Sequence, residues 1–325
     1  MKILVTGGTG FIGSHLLMHL SGTQHQIRCL VRPTSDTTVA RRVGAELVVG
    51  DVTRSESVIK SVSGCDAVLH LANLYEFWIP RRKDYYSVNV VGTRNVMEAA
   101  LETGVQKVVH VSSLVTYGTP EEKPVTEESA PGQVRYSQYA ETKYEGDLEA
   151  WRLYHEQKLP LVVVYPGAVI GPGDDKPSGR YIENIVRQRM PAQVLVDSVL
   201  TWVDVKDVAR VIVAALEKEG NLGERYFAAA ERLTIGEFNR LVSRIAGVRL
   251  PRLIMPAWMV FANAAVLTSL ARVFKFSPML GMSLDQIRTM RKGFSADGSK
   301  VTRDLGIQYT PISTSIKQMV AEIRA

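Results

Sequence analysis

The sequence of 325 residues has little cysteine and shows no internal repeat or low-complexity segment. Its two cysteines, Cys29 and Cys65, cannot form a disulfide framework, which excludes the small disulfide-stabilised secreted proteins and favours a reducing compartment. Residues 2–6 have the pattern of a strand, and no basic and apolar leader precedes them. A secretory signal is therefore not expected, and we predict a cytoplasmic protein.

A long uninterrupted apolar run is also missing. The most apolar stretch, residues 255–274, is broken by Asn263, Thr268, Ser269 and Arg272. Because a membrane-spanning helix needs about 20 consecutive, mainly apolar residues, the sequence predicts no membrane span. We expect this stretch to form a buried helix or a helix that lines a substrate pocket.

The positive charges do not form one continuous stripe. The chain has 39 Lys and Arg against 33 Asp and Glu, with basic clusters at residues 41–42, 81–83 and 291–292. Nucleic-acid binding surfaces typically combine a basic stripe with interleaved aromatic residues. We interpret the clusters as solvated surface and predict a small molecule, and no specific nucleic acid, as the partner. No metal site is predicted.

Short apolar runs alternate with helix-period segments through the first half, which is typical of a parallel sheet with crossover helices. Strands are predicted at residues 3–5, 27–31, 47–49, 67–71, 108–111 and 161–164, and helices at 11–20, 57–63, 85–103 and 139–157. After about Pro166, glycine and proline become frequent. We predict a doubly wound α/β fold, with a Rossmann domain in residues 1–165, to which later segments return. Residues 166–325 are predicted to form mainly a smaller, mostly helical substrate lobe.

Three glycines follow the first predicted strand directly and open a helix. Gly7, Gly10 and Gly13 allow a tight turn and a close approach of a pyrophosphate to backbone amides at a helix N-terminus. The same loop contains Thr9, Phe11 and Ile12. This context predicts a dinucleotide site; the alternative is a glycine turn without a ligand.

The second predicted strand ends without the acidic residue that binds the ribose 2′-hydroxyl in NAD-specific folds. Arg32 stands there instead, and a guanidinium suits a 2′-phosphate, so NADP is favoured and NAD remains possible. Arg32 is alternatively a surface arginine, and Asp36 lies within reach of a ribose. Asp51, after the third strand, is placed to meet the adenine end or to cap the helix that contains Ser57.

A tyrosine followed four residues later by a lysine occurs twice, at Tyr139/Lys143 and Tyr154/Lys158. The two pairs are about 22 Å apart on one predicted helix, so they cannot share a site. We select the first pair, because it opens the helix that follows the strand ending before Ser113.

The spacing places the phenol and the ammonium on one helical face. We expect Lys143 to lower the pKa of Tyr139 and so make it a usable acid and base, and also to reach the nicotinamide ribose. Ser113 is predicted to hydrogen-bond the substrate oxygen, with Ser112 as the alternative. Taken singly, Ser113 could satisfy local backbone and Tyr139 could be a partly buried helix residue.

These residues together resemble the extended short-chain dehydrogenase/reductases, and among them the group similar to dihydroflavonol reductases and hopanoid-associated sugar epimerases. The resemblance covers nearly the whole chain and is carried by residues 6–13, Asp51 and Val52, residues 70–72, residues 89–96, residues 111–113, Tyr139 and Lys143, and residues 166–173. It implies an N-terminal Rossmann domain, a Ser113-Tyr139-Lys143 triad and a homodimer formed through the helix at residues 85–100. It also implies cofactor contacts from Val52, Leu71 and Ala72, and from Pro166, Ala168 and Val169 beside the nicotinamide.

Two departures bear on the substrate. Many nucleotide-sugar epimerases have asparagine and arginine where this chain has Tyr165 and Leu200, so two groups that would hold a sugar diphosphate are missing. Bulky aromatics at residues 74–80 favour a less charged substrate, although packing between the lobes would also explain them. Tyr75, Trp78, Tyr165 and Trp202 are the predicted substrate residues.

We predict an NADPH-dependent reductase of a ketone or aldehyde on a small, partly apolar substrate. The first alternative is a nucleotide-sugar epimerase or dehydratase that holds its cofactor tightly. The second is a non-catalytic cofactor-binding or RNA-binding protein, for which a broken triad would be the signature.

Overall fold

A computed structural model describes residues 1–120, 122–278 and 282–325 of the chain. The strands are β1 (Lys2–Thr6), β2 (Gln26–Val31), β3 (Glu46–Val49), β4 (Ala67–His70), β5 (Lys107–Val111), β6 (Leu161–Pro166), β7 (Ala168–Ile170), β8 (Val199–Asp204), β9 (Arg225–Ala228) and β10 (Glu231–Thr234). Seven of them form a parallel sheet in the order β3-β2-β1-β4-β5-β6-β9.

The helices surround this sheet and continue beyond it. They are α1 (Phe11–Leu20), α2 (Thr38–Arg42), α3 (Ser55–Val62), α4 (Lys83–Tyr86), α5 (Gly92–Thr103), α6 (Gln138–Gln157), α7 (Pro177–Val186), α8 (Val205–Glu217), α9 (Ile235–Ala246), α10 (Ala257–Phe274), α11 (Leu284–Lys292), α12 (Ser299–Leu305) and α13 (Ile312–Arg324). A π-helical turn, Ser87–Val91, joins α4 to α5, and a 3₁₀ turn, Leu114–Tyr117, follows β5.

The central strands are buried on both faces, because helices cover the sheet on each side. One core cluster joins Ile3 and Val5 of β1 to Leu16 of α1 and Ile212 of α8. On the other face, Leu4 packs in a second cluster with side chains of α3, α5 and α6. Valine-rich strands such as β5 and β6 suit this position, since parallel strands with two buried faces are apolar throughout.

The chain reverses direction across the sheet between β1 and β4. The first three strands run outward from β1 to β3, and the chain then returns to place β4 on the other side of β1. In open α/β sheets, ligands bind at the carboxyl ends of the strands at such a switch point. The fold therefore brings the ends of β1, β4 and β5 to one crevice.

The region after β6 contributes to both parts of the molecule. β9 is the outermost strand of the large sheet, and α8 packs against α1. β7, β8 and β10 form a separate three-stranded sheet, which packs with α7, α9 and α13 in a third cluster. The two-domain division at residue 165 stays a prediction.

The predicted fold class is confirmed, and α1 has the predicted bounds. Gly104 caps α5 in the left-handed conformation, which glycine adopts without steric cost. One expectation is wrong. The apolar stretch forms α10, but only 22% of this helix is buried, so it is not a core helix. Thr268 and Arg272 of α10 do line a cavity.

Candidate active site

The glycine loop has no room for side chains. Gly7 has φ +74°, and a Cβ on it would lie 2.6 Å from the Ala72 nitrogen. A Cβ on Gly13 would lie 2.1 Å from the Gly7 carbonyl oxygen. Gly10 precedes α1 without a side-chain cap, so the first amides of that helix, from Phe11, Ile12 and Gly13, are left for a ligand. This cradle fits the pyrophosphate of a dinucleotide, with Thr9 on the turn.

Arg32 lies exposed just beyond β2. The two acidic residues considered with it are engaged locally. Asp36 accepts hydrogen bonds from the Thr38 amide and hydroxyl, which hold the pKa of Asp36 below its usual range. Asp51 accepts hydrogen bonds from Thr53 in the same way, and it does not cap α3.

The other predicted cofactor residues surround the same crevice. The Ala72 amide donates to the Thr6 hydroxyl at 3.2 Å, and the Leu71 amide donates to the Thr6 carbonyl, so both residues pass the end of β1. Val52 lies against Gly92 at the start of α5. Pro166 ends β6, and Ala168 and Val169 begin β7 directly after it.

The three triad residues converge at the ends of β5 and α6. Ser113 follows β5 and caps the 3₁₀ turn, with its hydroxyl within hydrogen-bonding reach of the Tyr139 phenol. Tyr139 and Lys143 lie one turn apart near the start of α6, which Ser137 caps through the Ala140 amide. The Lys143 ammonium donates to the Val111 carbonyl at 3.1 Å. Ser112, the alternative to Ser113, instead donates to Asp147 at 2.7 Å.

Burial determines how these groups ionise. It raises the pKa of Tyr139, and the Ser113 hydroxyl only partly opposes the rise. It also lowers the pKa of Lys143 to about 8, against the attraction of Asp147. The expected lowering of the Tyr139 pKa by Lys143 is therefore not what this structure gives, because desolvation of the phenol dominates and the opposing contribution comes from Ser113 and not from Lys143.

We expect the burial of Lys143 to appear in the pH dependence of stability. Below pH 8 the folded protein holds a buried ammonium, whereas above it the folded amine is neutral and the unfolded one stays charged until about pH 10.4. Wild-type stability should therefore rise relative to Lys143→Met between these values. Thermal unfolding of both proteins across this range measures the difference. Lys158→Met, at an exposed site, should show no such trend, and a constant difference for Lys143→Met would contradict the expectation.

A buried polar network lies beneath the triad, and it was not predicted from the sequence. Asp147 accepts hydrogen bonds from Ser112 and, at 3.0 Å, from the His110 ring. His110 stacks on His70, whose ring nitrogens contact the hydroxyls of Thr6 and Thr93. Burial lowers the pKa of both histidines, so they are neutral. Asp147 lies four residues after Lys143 on α6, and this spacing was the available signal.

Aromatic rings cover Tyr139. The Tyr75 and Phe77 rings lie 5.1 Å and 6.0 Å from the Tyr139 ring, both edge to face. Phe77 and Trp78 also line a cavity of about 150 Å³ that extends to α10. Tyr75 and Phe77 therefore lie against Tyr139, and Trp78 lies in the wall of the neighbouring cavity. The substrate roles of Tyr75 and Trp78 stay predictions.

Tyr165 and Trp202 lie elsewhere in the packing. The Tyr165 ring packs on Tyr117 and Phe227, and its hydroxyl accepts a hydrogen bond from the Trp151 indole. Trp202 stacks on Phe238 at 3.8 Å. Within the described ranges its buried indole N–H has no hydrogen-bond partner. Their substrate roles stay predictions.

A second, larger cavity lies beside the loop that follows Ser113. It measures about 370 Å³ and extends from Tyr117 to the residues between α11 and α12. Four cationic side chains line it, and Asp197 is also in its wall. These cations are Lys123, Arg232, Arg291 and Lys292.

Comparison with known proteins agrees with this geometry. The sequence model of the NAD dependent epimerase/dehydratase family matches residues 3–229. The chain belongs to this family. Its members bind NAD(P) and act as enzymes on small molecules, which agrees with the glycine cradle.

Relatives within the family have different activities. A Synechocystis protein provisionally named dihydroflavonol 4-reductase is 30% identical over 98% of this chain and 92% of its own length. Sterol demethylase protein B of Methylococcus capsulatus is 30% identical over 100% of this chain and 98% of its own length. The solved structure of gox2253 is 33% identical in sequence and has a TM-score of 0.85. The match covers 99% of this chain and 98% of that one. A UDP-glucuronic acid 4-epimerase of Bacillus cereus, 22% identical with a TM-score of 0.79 over 100% and 99%, shares the fold.

Proposed function

We propose that this family member is an NADPH-dependent reductase of a ketone or aldehyde on a small, partly apolar molecule. The observation that carries the proposal is the convergence of Ser113, Tyr139 and Lys143 at a site whose remaining wall is aromatic. An apolar wall suits a weakly charged substrate, because it offers packing area and little compensation for buried charge.

NADPH, held by the glycine cradle, would supply the hydride that the carbonyl carbon accepts. Tyr139 donates its proton to the carbonyl oxygen as the alcohol forms, and its raised pKa keeps the phenol protonated at neutral pH. Ser113 donates a hydrogen bond to the same oxygen and fixes its position. Lys143 lies one helical turn from Tyr139 and would hold the cofactor ribose. The aromatic rings keep water from the reacting atoms.

The named relatives support a reductase that acts on an apolar substrate. A dihydroflavonol 4-reductase, a 3-beta-hydroxysteroid dehydrogenase and a sterol demethylase protein all act, by their names, on polycyclic molecules. A test is a spectrophotometric screen of apolar ketones and aldehydes with NADPH. The expected result is oxidation of NADPH that depends on the ketone, and no turnover on any of them would count against the proposal.

We expect Arg32 to determine the choice of cofactor. Charge-assisted hydrogen bonds contribute about 1.5–3 kcal/mol each, so Arg32→Ser should weaken NADPH binding about 10–100-fold and leave NADH binding nearly unchanged. Fluorescence titrations at matched ionic strength measure both affinities. Arg42→Ser is the control, because the Arg42 guanidinium contacts the Met18 sulfur. Equal losses for both nucleotides would show that Arg32 does not bind the 2′-phosphate, and a wild type that prefers NADH would assign the site to NAD.

A nucleotide-sugar epimerase or dehydratase is the second candidate. The cationic wall of the 370 Å³ cavity favours it, since Arg232, Arg291 and Lys292 suit a diphosphate. This chain has Tyr165 and Leu200 where many nucleotide-sugar epimerases have asparagine and arginine. The lack of these two groups, which would hold a sugar diphosphate, counts against this candidate. Purified protein that already holds nucleotide, and that binds a nucleoside diphosphate, would favour this candidate over the reductase.

We further propose a cytoplasmic homodimer formed through the helices of residues 85–100. A Tyr86→Glu substitution, at an exposed position of this segment, is expected to reduce the molar mass measured by light scattering from dimer to monomer. A wild type that is already monomeric would contradict this assembly.

A further inference from the structure

One long apolar helix is left uncovered. α10 (Ala257–Phe274) has a mean hydropathy of 1.5, and only 22% of it is buried. Trp258 and Val273 are each 72% exposed, Phe274 is 66% exposed, and Phe276 continues the surface beyond the helix. An apolar surface of this extent on a folded protein marks an interaction site.

The remaining face of α10 holds the helix against the body of the protein. Val260, Ala264, Thr268 and Ala271 are the buried residues, and they recur every three or four positions. The Thr268 hydroxyl accepts a hydrogen bond from the Leu284 amide at 2.8 Å. A helix fixed along one narrow face lies on the protein and does not leave it to cross a bilayer. Its geometry suits a position in the plane of a membrane surface.

The chain segment that contains α10 carries charge of one sign, and the neighbouring Asp285, which lines the same cavity as Arg272 and Lys275, is paired with Arg82. Residues 238–284 contain six Lys and Arg and no Asp or Glu. The net charge of this segment, +6, is as large as that of the whole chain. Arg252 precedes the helix, Arg272 and Lys275 end it, and all three are exposed. Basic side chains beside an apolar face are attracted to anionic lipid. In a two-fold dimer through this face the same charges would meet their own copies.

We propose that α10, together with the basic residues at its two ends, is a docking surface for an anionic lipid bilayer. Trp258 at one end, and Phe274 and Phe276 at the other, enter the headgroup region, where aromatic side chains are favoured. Arg272 and Lys275 also line the 150 Å³ cavity that contains Phe77. The docked surface is thus continuous with that cavity. Docking of this surface on a bilayer does not depend on the reaction proposed above.

Sedimentation with vesicles tests the docking directly. The full-length protein is expected to bind mixed phosphatidylcholine and phosphatidylglycerol vesicles at least about tenfold better than pure phosphatidylcholine vesicles, and high salt should release it. Val273→Ser with Phe274→Ser should reduce binding about tenfold or more. Val134→Ser with Leu222→Ser, at exposed apolar positions outside the surface, should bind as the wild type does.

Three results would overturn the docking. The first is no binding to the mixed vesicles, and the second is equal loss of binding in both double variants. The third is a wild-type dimer, measured by light scattering, that the double variant Val273→Ser with Phe274→Ser converts to monomers. In that case a second copy of the chain, and not a bilayer, would cover the surface. Circular dichroism of each variant verifies that it is folded, which is expected for substitutions of exposed side chains.

Discussion

Replacing Tyr139 by Phe is expected to lower kcat about 1,000-fold while the affinity for NADPH stays within about twofold of the wild type. The substitution removes one hydroxyl, and proton transfer by a positioned group contributes about 10²–10⁴-fold to rate. The ring itself is kept, so its contacts with Tyr75 and Phe77 remain. Steady-state kinetics on the substrate found in the ketone screen, with a fluorescence titration of NADPH, measure both quantities.

Tyr154→Phe is the matched control, because Tyr154 has a lysine at the same spacing near the opposite end of α6. It should leave kcat within a factor of about two, because Tyr154 lies about 22 Å along α6 from Tyr139 and is therefore far from the crevice. Equal losses in both variants would indicate a structural effect. Activity of Tyr139→Phe close to the wild type would remove Tyr139 from the mechanism.

The large sheet was predictable because its signal is local. Each strand from β1 to β6 is a short apolar run, and α1 follows its strand through a glycine loop with a known physical purpose. β9 was not predicted, since it reaches the sheet edge only through a long connection and its position depends on tertiary packing. The π-helical turn at Ser87–Val91 was likewise invisible, because its residues continue the helical pattern.

The site was predictable where function constrains a motif and unpredictable where packing decides. Tyr139 and Lys143 were selected by their spacing and Ser113 by its position after a strand. The structure brings the three together, and their roles stay predictions. The ionisation of Tyr139 was not predictable, because the direction of its pKa shift depends on how much of the phenol is buried. Asp147 escaped notice because it stands among the acidic residues of α6, and its four-residue spacing from Lys143 does not by itself reveal that it is buried.

Gly13→Ala is expected to abolish measurable cofactor binding, with an affinity at least about 100-fold weaker. The added Cβ would lie 2.1 Å from the Gly7 carbonyl oxygen and 2.7 Å from the Gly8 Cα, and both are backbone atoms. The turn must therefore open, which moves the helix amides away from the pyrophosphate, and a displacement of about 1 Å costs about 10²-fold at a preorganised site. Overpacking should also destabilise the fold by about 1–3 kcal/mol.

The matched control for this variant is Gly22→Ala, just beyond the other end of α1. A Cβ there would come no closer than 3.6 Å to the His19 carbonyl oxygen, so both the fold and the affinity for NADPH should be kept. Titration of each variant with NADPH, together with its thermal unfolding without nucleotide, separates loss of the cradle from loss of the fold. If Gly13→Ala bound NADPH as the wild type does, the pyrophosphate would have to lie elsewhere, and the crevice at the end of β1 would lose its assignment as the cofactor site.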